Sequence, residues 1–473
     1  MASALNASRR SLRALARASV VAQGAPRGFY SDSAIGGASA MYLESLYSQW
    51  KANPGSLETK WADYFQALEA GGKPALPSSK TGLKESAMAA TFSRMETTGG
   101  GQVASSSFKG GLLNLMRAYQ KRGHEAAELC PLGIHDWRVW NGRESTPVLD
   151  PAYHGFTEAD MDKPFQVQFP GMKPNSTLRE IIGTLKKVYA NKIGFEYLHI
   201  QDLKKTNWIQ ERIESPTFVT PEKEKLLNIY TQLCKADTFE SFLGSKYKTT
   251  KRFGCDGGEA AVSGIMAAVD KAVSMGVKEV VIGMPHRGRL NMLVNVVGKP
   301  LQQMFAEFKG THYDFDELMD VVESSDWAFA GDVKYHLGTS NVRQFPDGNV
   351  ARVTLEANPS HLETVNAVTL GRARAKQFYS GDTEETRKQV LPVLFHGDAS
   401  FAGQGVCYET MQLAHVTDFD VGGTIHVIIN NQIGFTTDPV DDRSTLYCSD
   451  LGKAFSVPIF HCNGDDPAGG AAV

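Results

Sequence analysis

The 473-residue sequence lacks several features that mark particular classes of protein. It contains no run of 18 or more apolar residues, so we predict no membrane-spanning helix. Its six cysteines include no Cys-x-x-Cys pair, which argues against a zinc knuckle and a disulfide framework and favours reduced thiols. With 42 % hydrophobic and 10 % aromatic residues, the chain is expected to be globular, with one or two sizeable cores.

The first 31 residues lack acidic side chains, since no Asp or Glu precedes Asp32, and they contain five arginines. Arginines spaced among Leu, Ala and Val, with several serines, are typical of a mitochondrial transit peptide, because a secretory signal would have an uninterrupted apolar centre. We therefore predict a transit peptide over 1–31 and a location in the mitochondrial matrix, the alternative being a disordered basic arm. Without those arginines 44 basic residues face 52 acidic ones, so no nucleic-acid partner is expected.

An aromatic-rich segment follows at 42–68, where two short helical patterns flank Asn53-Pro54-Gly55. Six of its apolar side chains could anchor a partner surface: Tyr42, Leu46, Trp50, Trp61, Tyr64 and Phe65. We predict a docking element here, followed by a flexible linker over 69–106 that is rich in Gly, Ser, Ala and Lys. The alternative is a small hairpin that folds back on its own domain.

The rest of the chain divides by its hydrophobic pattern into a helical and an α/β region. Leu112, Leu115, Met116 and Tyr119 follow helical spacing, and similar patterns continue onward, so we predict a largely helical segment over 107–245. From 246 to 473, apolar strands alternate with Gly-rich turns and helices. This alternation predicts an α/β fold with a doubly wound, mostly parallel sheet, in which ligands bind at the carboxyl ends of the strands.

Two of those predicted strands end in side chains that suit a metal–diphosphate site. Asp398 ends the first strand, and Asn431 follows the second, 33 positions later. Carboxylate and amide oxygens are hard ligands for Mg²⁺, which takes its remaining ligands from phosphates and water. Between them, small residues including Gly397 and Ala399 would let backbone N–H groups approach a diphosphate. Taken alone, Asp398 is better explained as an ordinary helix cap.

Six short motifs then suggest a family. They are RFG (252–254), GMPHRGRLN (283–291), GDVKYHLG (331–338), ANPSHLE (357–363), HGDASFAGQG (396–405) and IINNQIGFTTDP (428–439). Together they resemble the E1 components of 2-oxoglutarate dehydrogenases, which depend on thiamine diphosphate. The resemblance covers almost the whole chain, including the 42–68 segment and RAYQKRGH at 117–124.

The resemblance implies roles for particular residues. Asp398, Asn431 and the main-chain carbonyl of Ile433 would bind Mg²⁺. Arg287 would contact the cofactor diphosphate beside Ala399, as suits a guanidinium that can bind two phosphate oxygens. The catalytic and substrate-binding residues would be His286 and His336, together with Ser340 as a further substrate contact. His361 and His396 would lie farther from the substrate.

The implied activity is the decarboxylation of 2-oxoglutarate in the tricarboxylic acid cycle, with transfer of the succinyl unit to a lipoyl group on an E2 partner, served in turn by E3. A homodimer is also implied. In this family a second α/β domain carries a glutamate that activates the thiamine pyrimidine, so we expect this chain to be a truncated form whose sheet is incomplete. Two alternatives stay open: a non-catalytic assembly or regulatory chain, and an E1 for a related 2-oxo acid such as 2-oxoadipate.

Three positions depart from the pattern of the family. Cys255-Asp256 stands where Leu-Glu is usual, Cys130 stands where Asp is common, and Glu356 is predicted to lie in an otherwise apolar strand.

Overall fold

The computed structural model describes residues 106–133, 146–215, 222–255, 257–309, 334–382 and 387–472, together with individual positions between 47 and 70. The chain divides into two units, Met1–Gly101 and Gln102–Val473. The predicted transit peptide and nearly all of the predicted linker lie outside the described residues. The other predicted domain boundaries stay predictions.

In the first unit, three aromatic side chains pack together. The ring centroids of Tyr47 and Phe65 lie 5.4 Å apart, and those of Trp50 and Phe65 lie 5.9 Å apart. Phe65 is buried, so one of the predicted anchors is covered by its own segment. The docking role of this segment stays a prediction.

The second unit mixes helices and strands. Its α-helices are α1 (Ser106–Arg122), α2 (Leu178–Tyr189), α3 (Leu203–Ile213), α4 (Lys223–Lys246), α5 (Ala260–Ser274), α6 (Arg289–Asn291), α7 (Leu301–Lys309), α8 (Val365–Ser380), α9 (Asp398–Gly403), α10 (Gly405–Gln412), α11 (Pro439–Asp442) and α12 (Pro467–Gly470). A π-helical turn, Met292–Val297, continues α6. Short 3₁₀ helices lie at Gly123–Glu125, Pro147–Leu149, Pro151–His154, Glu158–Asp160, Leu413–His415 and Cys448–Phe455.

The strands are β1 (Pro164–Gln166), β2 (Asn175–Thr177), β3 (Ile193–Glu196), β4 (Glu279–Gly283), β5 (Thr339–Gln344), β6 (Val350–Leu355), β7 (Val390–Gly397), β8 (Ile425–Ile429) and β9 (Ile459–Cys462). Glu356 directly follows β6 rather than lying within it. Among the described residues, no helix has both the length and the apolar character needed to cross a membrane.

The segment predicted to be largely helical, 107–245, contains nearly all of α1 to α4 and also the strands β1, β2 and β3, which the prediction did not include. Helix α2 shows why the helices form: Thr177 and Glu180 make a reciprocal capping box at its start, and its buried residues follow helical spacing. Strand β3, by contrast, has only four residues and pairs antiparallel with the distant β9. A strand this short has no period that a sequence pattern reveals, because its pairing is set by a remote segment.

Strands β4 to β8 form a five-stranded sheet in the order β5-β6-β4-β7-β8. The pairs β6–β4, β4–β7 and β7–β8 are parallel, and only the edge strand β5 runs antiparallel to its neighbour. The prediction of an α/β fold with a mostly parallel sheet is therefore confirmed.

Both faces of this sheet are covered by apolar side chains. On one face, Val280 and Ile282 pack in a core that includes Val262 and Ile265 of α5. On the other face, Val281 packs with Ala373 of α8. The alternation of β4 residues between the two cores is what a strand buried on both sides requires.

The strand order places a topological switch point between β4 and β7. From β4 the chain moves outward to β5 and β6 on one side, and then returns to β7 and β8 on the other. Loops that leave neighbouring strands in opposite directions open a crevice at the carboxyl edge of the sheet, where ligands of such folds bind.

Candidate functional site

Asp398 and Asn431 both lie at the carboxyl edge of the sheet, after two neighbouring strands. Gly397, the last residue of β7, pairs with Ile429, the last residue of β8. Asp398 directly follows the first of these residues and Asn431 lies two residues beyond the second. Asp398 is buried at the start of α9, whereas Asn431 is exposed.

The loop after β8 has a strained backbone. Gln432, Phe435 and Thr436 adopt φ values of 60°, 33° and 70°, which non-glycine residues rarely adopt. The Asn431 side-chain oxygen accepts a hydrogen bond from the N–H of Ile433 at 3.1 Å, which holds the turn. Strain of this kind is concentrated at ligand-binding sites. The buried Oε1 of Gln432 has no hydrogen-bond partner within the described part of the chain.

Ala399 fits against this loop because both surfaces are small. A Cβ atom added at Gly434 would lie 3.2 Å from the Cβ of Ala399. A larger residue at either position would separate α9 from the loop that carries Ile433. Ala399, one of the small residues noted in the sequence, and Gly434 therefore allow α9 and this loop to pack closely.

A positive charge already occupies one side of the predicted metal site. Arg443 Nη1 lies 3.2 Å from Asp398 Oδ2 and 3.4 Å from Asp442 Oδ2. Both Arg443 and Asp398 are largely buried. An ionised Asp398 carboxylate at this position would destabilise the fold if it had no cationic partner. The donor set of Asp398, Asn431 and the Ile433 carbonyl therefore fits a hard cation, and the guanidinium is a stand-in for its charge.

Arg287 lies in the loop after β4, whereas Asp398 and Asn431 follow β7 and β8. Its Nη1 donates to the main-chain oxygen of Gly254 at 3.2 Å, and it lines an open cavity of about 710 Å³ with Arg252 and Lys251. Among the described residues, the lining of this cavity includes neither Asp398 nor Asn431. The contact of Arg287 with a diphosphate stays a prediction.

His286 and His336 are brought together although 50 residues separate them. Their Nε2 atoms lie 2.9 Å apart, within hydrogen-bond distance. Burial lowers the pKa of His286 below its ordinary 6.5, and the neighbouring charges of His336 and Arg289 lower it further. The rings of Phe253 and Tyr335 lie 5.6 Å and 5.5 Å from that of His286, so the pair sits in an aromatic enclosure.

Ser340 lies on β5 and faces the neighbouring strand. Its Oγ is 2.9 Å from Oγ1 of Thr354, its register partner on β6. Among the described residues no hydrogen bond joins it to His286 or His336, so its substrate contact stays a prediction. His361 is exposed near the start of α8.

A buried polar cluster behind Asp398 was missed in the sequence, except for His396. Glu363 accepts hydrogen bonds from Asn366 at 2.9 Å and from Ser400, and its Oε2 lies 2.6 Å from His396 Nδ1. Burial raises the pKa of Glu363, but these hydrogen bonds outweigh it and hold the pKa below its usual range. Glu363 adopts a φ of 70°, a strained value that the cluster enforces.

The same cluster contains atoms that could ligate a metal ion. Glu363, His396 and Cys407 place one ligand atom each within 4.8 Å of one another. Their polar atoms are already engaged, since His396 Nε2 lies 3.0 Å from His426 Nδ1 and Cys407 donates weakly to the carbonyl of Ser400. The cluster is thus a hydrogen-bond network. Within it, Glu363 contacts His396 of β7 and Ser400 of α9, which flank Asp398 in the sequence.

Arg289 and Arg443 are two further residues that the motifs did not single out. Arg289 is fully buried behind the histidine pair, and Arg443 contacts Asp398. A signal for Arg289 exists in the sequence, because this charged residue immediately precedes the mostly apolar stretch LNMLVNVV. A charged side chain that is buried beside such a stretch is usually paired.

Comparisons with known proteins indicate the family of the chain. A family model described as dehydrogenase E1 component matches residues 232–471, and one described as 2-oxoglutarate dehydrogenase N-terminus matches residues 32–72. The chain is 43 % identical over 446 residues to the mitochondrial 2-oxoglutarate dehydrogenase of Dictyostelium discoideum, and 41 % identical over 449 residues to that of Schizosaccharomyces pombe. It is 40 % identical over 485 residues to the 2-oxoglutarate dehydrogenase E1 component of Brucella anthropi.

The matched regions cover 92 % of this chain and 42 % of the Dictyostelium and Schizosaccharomyces proteins, and 93 % and 47 % for the Brucella protein. The chain therefore spans less than half the length of these curated relatives. The first family model covers slightly more than half of the chain, including both histidines and both predicted metal-ligand segments. The family resemblance of the motifs is confirmed, and the chain belongs to the dehydrogenase E1 component family.

Proposed function

We propose that this chain carries the metal- and diphosphate-binding part of a thiamine diphosphate-dependent E1 component that acts on 2-oxoglutarate. One observation carries the proposal: Asp398 and Asn431 follow neighbouring parallel strands at the switch-point edge of the sheet, where the buried carboxylate already holds a cationic partner. The names of the relatives support 2-oxoglutarate as the substrate.

The oxygen donors of Asp398, Asn431 and Ile433 would hold a Mg²⁺ ion. A divalent ion would take over from Arg443 the task of balancing the buried Asp398 carboxylate. Because Mg²⁺ binds through few protein ligands and completes its shell with phosphate oxygens, three donors suffice. The backbone around Gly397 and Ala399, and the guanidinium of Arg287, would contact the diphosphate itself.

Thiamine diphosphate, when bound, supplies the nucleophile and the electron sink that decarboxylation of a 2-oxo acid needs. The chain supplies binding and electrostatics. His286 and His336 can share one proton between their Nε2 atoms across 2.9 Å. The ring that accepts this proton carries its own proton on Nδ1, and this N–H can be donated to a carboxylate or to the developing charge on a carbonyl oxygen. The rings of Phe253 and Tyr335 pack beside the ring of His286, which remains half-buried.

The remaining roles follow from the same proposal. The succinyl product would pass to a lipoyl group on E2, with E3 as the third component, and the E1 chain would act as a homodimer. Two of the relatives named above are described as mitochondrial, which supports a site of action in the mitochondrial matrix.

Calorimetric titration of the full chain with thiamine diphosphate in the presence of Mg²⁺ tests the proposal. Asp398→Ala removes the predicted ligand. Asp442→Ala is the matched control, because Asp442 also contacts Arg443 but lies outside the predicted ligand set. We expect the unaltered chain and Asp442→Ala to bind alike and Asp398→Ala to show no binding. Equal binding by Asp398→Ala, or none by an unaltered chain with native circular dichroism, would refute the proposal.

A further inference from the structure

The side chain of Arg289 is fully buried behind the histidine pair. It starts α6 immediately after Gly288, whose φ of 76° turns the chain back toward the sheet. Its exposed fraction is 0 %, and among the described residues it is the largest side chain that is so completely enclosed. A buried charge is expensive unless its donors are all engaged, so the position of this guanidinium requires an explanation.

Each hydrogen bond of the Arg289 guanidinium, within the described part of the chain, goes to a main-chain carbonyl oxygen. Nη1 donates to Met284 at 3.1 Å, Nε and Nη2 donate to Leu337 at 3.1 Å and 2.8 Å, and Nη2 also contacts the oxygens of His336 at 3.5 Å and of Glu356. These four carbonyls belong to the end of β4, the loop before β5 and the end of β6. One side chain thus holds three separate segments of backbone.

The chemistry of this contact requires an arginine. Burial lowers the pKa of Arg289 to about 9 and the carboxylate of Glu356 opposes that shift, so the guanidinium remains charged at neutral pH. A planar guanidinium directs its five N–H groups in a fixed fork, whereas a lysine ammonium would reach at most one or two of these carbonyls.

Two of the held segments carry the histidine pair. Met284 lies two residues before His286, and the carbonyls of His336 and Leu337 are themselves acceptors. The loop is also pressed against β6, because a Cβ atom added at Gly338 would lie 2.5 Å from the main-chain oxygen of Leu355. The 2.9 Å contact between the two imidazoles therefore depends on where this guanidinium fixes their backbones.

We propose that Arg289 is a positioning residue that holds the backbones of His286 and His336 so that their imidazoles share one proton between the two Nε2 atoms, and the ring that accepts it presents its Nδ1–H donor to a carboxylate or carbonyl oxygen. The role of that donor in binding a 2-oxo acid rests on the proposed function. The positioning itself does not, since it concerns the chain without any ligand.

The test uses the full chain labelled with ¹⁵N-histidine. The proton shared by His286 and His336 should give a low-field NMR signal, assigned by its loss in His336→Gln. Arg289→Lys keeps the positive charge but removes the planar, forked set of N–H donors. Arg343→Lys is the matched control, because Arg343 is also an arginine whose guanidinium donates to a main-chain carbonyl, that of Val296. We expect the signal to survive in Arg343→Lys and to vanish in Arg289→Lys.

A signal that persists unshifted in folded Arg289→Lys would overturn the inference. If that variant does not fold, Gly338→Ala provides a second test, since its Cβ pushes the same loop away from β6, and an unchanged signal there would equally overturn it. Titration with 2-oxoglutarate is a separate measurement, because it reports on the proposed function and not on the positioning of the two histidines. If the unaltered chain shows the proton signal but binds no thiamine diphosphate, the proposed function fails while the positioning role stands.

Discussion

The Nε2 atoms of His286 and His336 lie 2.9 Å apart, although the residues come from opposite ends of a long excursion between β4 and β5. Two imidazoles at this distance can hold only one proton between their Nε2 atoms. If both Nε2 atoms were protonated, two N–H groups would point at each other and two positive charges would lie side by side. Burial, His336 and Arg289 all lower the pKa of His286, which agrees with this limit.

This pair predicts how the binding of 2-oxoglutarate depends on pH. Protonation of the pair adds positive charge, so affinity for the dianion should increase as the pH falls through the lowered pKa of His286, that is, below 6.5. Calorimetric titration of the chain, loaded with thiamine diphosphate and Mg²⁺, measures this at several pH values. His286→Gln should abolish the dependence, and His415→Gln, at an exposed position, should retain it. Persistence of the dependence in His286→Gln would contradict the assignment.

Removing the carboxylate of Glu363, the centre of the buried hydrogen-bond network, should cause a large loss of stability. Glu363→Ala leaves the donors of His396, Ser400 and Asn366 buried without their acceptor, which should lower the free energy of unfolding by about 3 kcal/mol. Urea denaturation followed by circular dichroism measures the change. Glu409→Ala on the exposed face of α10 is the control, with an expected change within about 0.5 kcal/mol. Similar values for the two variants would show that the network contributes little.

A second buried carboxylate predicts sensitivity to acid. Burial raises the pKa of Glu196, but hydrogen bonds and charges from His461, His124 and Lys453 outweigh it and lower the pKa from 4.5 to about 2. A depressed carboxylate pKa stabilises the fold above the unfolded value, and that contribution is lost as the pH falls from about 4.5 toward 2. At about 1.4 kcal/mol per unit, roughly 3 kcal/mol should disappear over this range.

Unfolding experiments across this pH range check the prediction with Glu196→Gln, which cannot titrate. This variant should be less stable near neutral pH and should lose less stability on acidification. A pH slope as steep as that of the unaltered chain would show that other groups cause the acid sensitivity.

Two glycine-to-alanine substitutions distinguish the cost of steric crowding from the gain that alanine brings to a helix. A Cβ atom at Gly283, the last residue of β4, would lie 2.3 Å from Thr369 Oγ1, so Gly283→Ala should destabilise the fold by about 1–3 kcal/mol. Gly371 in α8 has open space around its Cα, so Gly371→Ala should stabilise it by up to about 1 kcal/mol. Melting temperatures of both variants give the comparison. A shift in the same direction for both would refute the crowding argument.

The sequence predicted the parts of this molecule that depend on local pattern. The strands that end at Gly397 and Ile429 were recognisable from apolar runs, and parallel pairing was enough to bring Asp398 and Asn431 to one edge. Arg289 could not be assigned in the same way, because its partners are main-chain carbonyls from three distant segments and carry no residue signature. Glu363 was missed for a similar reason, since its burial and its φ of 70° depend on tertiary contacts with β7 and α9.

We propose that Asp398 and Asn431 ligate one divalent ion together with a diphosphate. Electron paramagnetic resonance of Mn²⁺ added to the full chain with thiamine diphosphate measures this binding, because bound Mn²⁺ loses the six-line spectrum of the hydrated ion. We expect the free-ion signal to be depleted for the unaltered chain and for Asp442→Ala, and to remain for Asp398→Ala and Asn431→Ala. Equal depletion in all four proteins would show that these two residues do not ligate the ion.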